Sequence, residues 1–239
     1  MKIIQNLLNA VQKNAPLQQL LVGAHWTAVQ SRHCGMASTV MSQKPHGESA
    51  ISSAGQLQHL SAKELAAYTL SDNTLEASIG LAALNSLIDI PRKNVVEVNA
   101  FKYLAEKGVG KTIAVFGHFP NTKDLQTVAG QLIVFELSPA EGEHGLEDVE
   151  TLLPSADLVA ITSNSIINHS LQDILPHIRE NAFSMLLGPS TPLSEVMFDF
   201  GLDMLAGVRV NDSRMLFNCI GQGAIFRQVK GVELVTITR

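Results

Sequence analysis

Thr112-Ile113-Ala114-Val115-Phe116-Gly117 runs straight into His118-Phe119-Pro120, and that junction decides the fold class. A short apolar run halted by a turn cluster reads as a buried strand. Four later runs end in the same way. Gln131–Glu136 stops before Ser138-Pro139, and Leu158–Ile161 before Thr162-Ser163-Asn164-Ser165. Phe183–Leu187 stops before Gly188-Pro189-Ser190-Thr191, and Met204–Val210 before Asn211-Asp212. Segments long enough for helices lie near 122–129, 146–153, 170–180, 193–200 and 213–221. Strands alternating with helices form parallel βαβ units with right-handed crossovers. Their carboxyl ends border one crevice, where open α/β sheets bind ligands. Val232–Thr238 reads as a sixth strand.

Upstream the texture changes. Ile3, Ile4, Leu7, Leu8 and Val11 recur at helical spacing, which predicts an amphipathic helix over 2–13. Leu17–Val22 and Trp26–Val29 read as strands joined by a turn at Gly23-Ala24. Residues 30–59, rich in Ser, Gly and His, read as loop with one short strand. Ser61-Ala62-Lys63-Glu64 is a capping box, and an Ala- and Gly-rich helix follows Ser71-Asp72. Asp89-Ile90-Pro91-Arg92-Lys93-Asn94 breaks the pattern, and Asn99–Lys107 is a further helix. The division expected is therefore a small α+β domain over 1–90 and an α/β domain with a mostly parallel, doubly wound sheet over 91–239.

Composition bounds the function. The 239 residues are 46% hydrophobic and 16% charged, with a net charge of −5. An acidic chain with 17 scattered Lys and Arg offers no basic field for a nucleic-acid backbone. The N-terminus is broken by amides too early for a secretory signal, and no stretch reaches the roughly 18 apolar residues of a membrane span. Cys34 and Cys219 make no disulfide framework, so the expectation is a cytoplasmic protein. Its Ala- and Gly-lined helices are compatible with a homodimer.

The crevice residues suggest chemistry. Gly117 alone does not make the three-glycine dinucleotide fingerprint, and Phe119 and Pro120 crowd a phosphate. Gly110-Lys111-Thr112 precedes its strand, so it is not a Walker loop. Glu136 ends the second strand nineteen residues after Gly117, where nucleotide-binding units hold ribose hydroxyls; a solvated or turn-capping acid is the competing reading. Ser163-Asn164-Ser165 and Gly188-Pro189-Ser190-Thr191 offer hydroxyls and amides to an anion, or serve only as helix caps. Among the eight histidines, none forms His-Glu-x-x-His, and adjacent His33-Cys34 diverge on a strand. On the Ala-rich helix, Glu76 and Asn85 sit on opposite faces; Glu76 is the acid expected to reach the crevice.

Taken in order, Glu76–Asn85, Gly117-His118-Phe119-Pro120, Glu136-Leu137-Ser138-Pro139, Ala156–Thr162, Ile166-Ile167-Asn168 and Leu187-Gly188-Pro189-Ser190-Thr191-Pro192-Leu193 resemble the putative heavy-metal chelation family across nearly the whole chain. The resemblance implies an enolase N-terminal-like domain followed by a Rossmann-like domain, with a site between them. It also implies binding or processing of a small metal-chelating or pterin/flavin-like compound, with a transition-metal ion or a chelating ligand as cofactor. The chain departs from the family at Ser163 and His169, where glycine is more frequent, and at Glu141-Gly142-Glu143-His144. The site expected is thus a cleft in which Glu76 and Glu136 act as catalytic acids. Gly117, His118, Phe119, Pro139, Ser163, Asn164, Ser165, Asn168, Gly188, Pro189, Ser190 and Thr191 would line it. Two other readings remain open: an S-adenosyl- or nucleoside-binding transferase or hydrolase, and a non-enzymatic metal-handling module.

Overall fold

The structure is a computed structural model that describes residues 1–41, 51–119 and 122–239; His46 and Pro120, both weighed above, lie outside them. Helix α1 (Lys2–Ala10) buries Ile3, Ile4 and Leu7 on one face, shorter than the 2–13 its periodicity suggests. Strands β1 (Gln19–Val22), β2 (Trp26–Gln30) and β3 (Cys34–Ser38) form an antiparallel sheet in the order β1-β2-β3. The Gly23-Ala24 turn joins β1 to β2 as expected, and β3 is the short strand anticipated in the Ser/Gly/His-rich segment.

Ser61 opens α2 (Ala62–Ala66) with the full capping box: its amide donates to Glu64 Oε2 at 2.8 Å, while its hydroxyl accepts from Glu64 N. Asn73 caps α3 (Thr74–Asn85). Every residue from Leu75 to Leu84 is buried, because neighbours close on all sides of this helix. Gly80 shows how tightly: a Cβ there would sit 2.0 Å from Thr69 N. The antiparallel sheet is thereby sandwiched. Val29 and Ala37 join the core around α3, while Ala28 and Met36 pack on Leu216, Phe217 and Ile220 of α9 (Ser213–Gly221).

The large sheet has seven strands in the order β4-β10-β9-β8-β7-β5-β6. These are β4 (Val95–Val96), β5 (Thr112–Phe116), β6 (Gln131–Phe135), β7 (Leu158–Thr162), β8 (Phe183–Leu187), β9 (Met204–Val210) and β10 (Val232–Thr238). The five runs of the opening pattern are β5 to β9, all mutually parallel. The expected tail strand forms β10, but it returns antiparallel to β9, and two-residue β4 adds an edge that periodicity cannot register. Between strands run α4 (Ala100–Lys107), α5 (Thr122–Val128), α6 (Val149–Leu152), α7 (Asn164–Ile167) and α8 (Leu171–Ile174). Several are single turns extended by 3₁₀ segments, and the helix expected near 193–200 is wholly 3₁₀, at Glu195–Phe200. No helix among the described residues is long and apolar enough to cross a membrane.

The strand order reverses at β5, which has β6 on one side and β7 on the other. That switch point sets the crevice at the carboxyl ends of β5 and β7.

Candidate functional site

A cleft of about 430 Å³ opens at this switch point, within the range of small-molecule pockets. The large sheet provides His118 and Phe119 after β5, Thr162, Ser163 and Asn164 after β7, and Leu187, Gly188 and Pro189 after β8. Trp26 and Ser38 come across from the small sheet, so the cleft lies between the two domains. Its walls are aromatic. Phe101 meets Phe119 edge-on at 5.0 Å between ring centroids, and Trp26 tilts against Phe226 at 5.5 Å. Trp26 Nε1 is buried in this wall with no hydrogen-bond acceptor among the described residues. An orphaned indole N–H in a ligand-sized cleft is a donor that folding has left unused.

Gly188 makes the close approach that the loop needs. Its φ is +130°, and a Cβ would lie 2.6 Å from Ser163 Oγ. Ser163 is buried and fills that space, with its amide bonded to Leu187 O at 2.7 Å.

The rim carries His118, the only titratable side chain among the described residues of the cleft lining. The imidazole lies between two carboxylates: Nδ1 is 2.6 Å from Glu136 Oε1, and Nε2 is 2.6 Å from Glu143 Oε1. The hydrogen bond to Glu143, with the charges of Glu136 and Glu143, raises the His118 pKa above its ordinary value. Glu143 is held low by the Ala140 amide and by His118. When protonated, the ring donates from Nε2 to Glu143 Oε1 and stands in ion-pair contact with Glu136 at Nδ1. Glu143 enters this triad because the segment around His144 runs beside β6, bonding Glu136 N to His144 O and His144 N to Val134 O.

Of the residues expected at the site, Gly117 follows β5 beside Thr162, where an added Cβ would lie 3.0 Å from the Thr162 side chain, and it does not line the cleft. Ser190 and Thr191 turn away from it. Ser190 Oγ accepts the Ser38 amide at 2.8 Å, and Ser190 O accepts from Asn85 Nδ2 at 3.0 Å. These Ser190 bonds tie its loop to β3 and α3, while the buried Thr191 hydroxyl has no partner among the described residues. Ser165 and Asn168 are used locally: Ser165 Oγ donates to Thr162 O, and Asn168 Oδ1 accepts from Ser170 N and Oγ. Pro139 is exposed in the loop beyond β6.

Glu76, the acid expected to cross from the first domain, stays within it. Oε1 accepts from Ser52 N and Oε2 from Ser71 Oγ, both at 2.5 Å. Burial alone would raise its pKa, but these bonds outweigh it and hold the carboxyl below its usual range. The helix geometry that placed Glu76 and Asn85 on opposite faces holds, and Asn85 is the one at the interdomain seam: its Nδ2 also donates to Met36 O.

A resident metal does not fit these residues. Among the described residues no group of three His, Cys, Asp or Glu side chains is arranged to hold a metal ion, since His118, Glu136 and Glu143 point their polar atoms at one another. Both nitrogens of His118 are taken by carboxylates, and burial pushes the Cys34 thiol up to about 12, leaving it protonated at neutral pH. Trp26, Phe101, Phe226 and Glu143 are the site residues that motif reading missed. The one available signal was that Trp26 is the sole tryptophan of the chain.

Comparison with solved structures gives close likenesses along the whole chain. A DUF364-family protein of unknown function from Desulfitobacterium hafniense is 28% identical, with a TM-score of 0.84, over 100% of this chain and 97% of that one. A second DUF364-family protein of unknown function, from Pyrococcus horikoshii, is 18% identical with a TM-score of 0.79, over 100% and 98%; at that identity the likeness is one of fold. No curated protein matches. Two family descriptions cover the chain, each reading "Putative heavy-metal chelation": one matches residues 4–88 and the other 99–239. The chain belongs to the putative heavy-metal chelation family.

Proposed function

We propose that the interdomain cleft binds one small, planar, chelate-forming molecule of the pterin, flavin or metallophore kind, and that any metal arrives with its chelator. The observation that carries this reading is the wall of two aromatic pairs containing the unpartnered Trp26 Nε1. Flat rings stack on such walls, and the indole N–H offers a bond to a ring nitrogen or carbonyl. Among the described residues the cleft lining has no Lys or Arg, and the rim triad is net acidic. A neutral ring system or one with a cationic edge suits this cleft better than a strongly anionic molecule.

Proton transfer, where the ligand is processed, belongs to His118 with Glu136 and Glu143 at the rim, within the reach that general acid–base chemistry requires. Glu76 supports the first domain. An S-adenosyl or nucleoside ligand is less well served, because Glu136 is already bonded to His118 and would have to release it to hold a ribose.

Trp26 provides the test, since it is the sole tryptophan and stands in the cleft wall. Its fluorescence is titrated with tetrahydropterin-type compounds, riboflavin, S-adenosylhomocysteine and catecholate chelators, each with and without Ni, Co, Fe and Zn salts. The expected result is saturable quenching by a planar chelator that metal salt alone does not produce. Quenching by free metal, or by none of the panel, would sink the proposal. Quenching by the adenosyl compound alone would favour the transferase reading.

A further inference from the structure

A second cavity, of about 630 Å³, shares Pro189 with the aromatic cleft but is built from different chemistry. It lies between the edge strand β3 and the end of α3 on one side and the end of β9 on the other. The chain leaving α3, Ile88 to Arg92, closes it. Its titratable lining is His33, Cys34, Asp89, Arg92 and Arg209. The Asp89 carboxylate is consumed: Arg32 holds Oδ2 at 2.6 Å and His33 holds Oδ1 at 2.8 Å, and these bonds keep its pKa low. Arg209 pairs with Glu233 at 2.7 Å across the β9–β10 ladder. Arg92 has no ionic partner among the described residues.

Three guanidiniums (Arg32, Arg92, Arg209) therefore face two carboxylates (Asp89, Glu233), a local excess of one positive charge in a chain whose net charge is −5. Cys34 adds no negative charge, since burial keeps its thiol protonated.

The backbone adds donors of its own. Thr39 N bonds His25 O, and Ser31 N bonds His33 O, so in the β2–β3 hairpin the hydrogen-bonded pairs fall at odd-numbered residues. In an antiparallel ladder the residues between them turn their N–H and C=O groups to the other side. Cys34, Met36 and Ser38 thus present theirs on the free edge of the sheet. Two observed bonds agree: Ser38 N donates to Ser190 Oγ at 2.8 Å, and Met36 O accepts from Asn85 Nδ2 at 3.0 Å. The amides of Cys34 and Met36 lie on that same edge, where both residues line the cavity.

We infer that this cavity is a binding site for a small oxyanion, a carboxylate or phosphate group, recognised by the Arg92 and Arg209 guanidiniums and the amides of the β3 edge. A planar guanidinium matches two-oxygen acceptors, and a strand-edge N–H can donate to one further oxygen of the same group. The two cavities thus divide the labour: the aromatic one suits a flat ring system, and the guanidinium-lined one suits an anion.

Isothermal titration with sodium citrate and, separately, with inorganic phosphate, both at low ionic strength, tests the site without reference to the aromatic cleft. At least one titrant is expected to bind, more weakly as NaCl is added. Arg92→Ala should weaken binding tenfold or more, and its fold is not at stake because the side chain is exposed and outside every ion pair. Arg209→Gln should also weaken it, and His118→Gln should leave it unchanged. Citrate alone binding identifies a carboxylate ligand, and phosphate alone a phosphoryl one. Absence of binding by both, or Arg92→Ala binding as tightly as the parent, overturns the inference. The Trp26 titration stands or falls separately.

Discussion

His169 sets two effects against each other in a way that substitution can separate. Its φ is +64°, a left-handed conformation that costs a residue with a Cβ about 1 kcal/mol. Against that cost, Nε2 lies 2.9 Å from Thr69 O, a bond from the α/β domain to a fully buried residue of the first domain. Such a bond contributes about 1 kcal/mol net. His169→Gly removes the backbone strain and the bond together, and adds roughly 0.5–1 kcal/mol of unfolded-chain entropy. With the Thr69 carbonyl left without that partner, its stability should lie about 0.5–3 kcal/mol below the parent. His169→Ala keeps the strain, loses the bond and leaves the Thr69 carbonyl buried without that partner, a loss of about 1–3 kcal/mol. The expected order is parent at or above Gly, with Ala lowest. Urea unfolding followed by Trp26 fluorescence measures it, with an unchanged slope certifying that only stability moved. Alanine clearly more stable than glycine would refute the claim that the left-handed backbone is strained. Both variants equal to the parent would refute the value assigned to the bond.

Glu76→Gln should lose about 1–3 kcal/mol at pH 7, because a neutral amide cannot accept two charge-assisted bonds. Since the folded pKa of Glu76 is lowered, its contribution is present above the unfolded carboxylate range and disappears as pH falls through the folded value. The stability gap between parent and variant should therefore close in acid, and Trp26 quenching by ligand should be the same in both. For His118 the sign is opposite: a raised folded pKa stabilises below the ordinary imidazole range and ceases to as pH rises through the folded value. The melting-temperature gap to His118→Gln should shrink from pH 6 toward alkaline pH, and a gap that widens instead would contradict the clamp. Gly188→Ala meets Ser163 Oγ and a φ of +130°, and should cost more than about 1 kcal/mol. Adding Ser163→Ala should restore only the steric part, read as a partial recovery of the denaturation midpoint.

The parallel sheet was legible in the sequence because its central strands β5, β7 and β8 are buried on both faces, and a strand of that kind is a continuous apolar run cut off by a turn. What stayed hidden depends on pairings that a single stretch of chain does not encode. β4 is two residues long and exists only because β10 returns beside it. The short 3₁₀-extended helices carry too few turns to impose a period. At the site, strand ends located the cleft, and His118, Phe119, Ser163, Asn164, Gly188 and Pro189 do line it. Which polar groups point inward was not legible. Ser190 looks like an anion donor by position, yet its hydroxyl meets the Ser38 amide, a partner 152 residues away. Glu143 sits in a segment without periodicity, and only the register of that segment against β6 brings it to His118.

The burial of α3 on every side constrains how the first domain comes into being. A twelve-residue helix is marginal alone in water, and one without a polar face gains nothing from standing alone at a surface. It must therefore form as β2, β3 and the chain around Thr69 close over it, so the domain assembles and opens as a single cooperative unit. The amides of α3 should be the slowest of that domain to exchange with solvent. Sequence drift has little room along this helix, since at Gly80 even one added methyl group meets the Thr69 backbone.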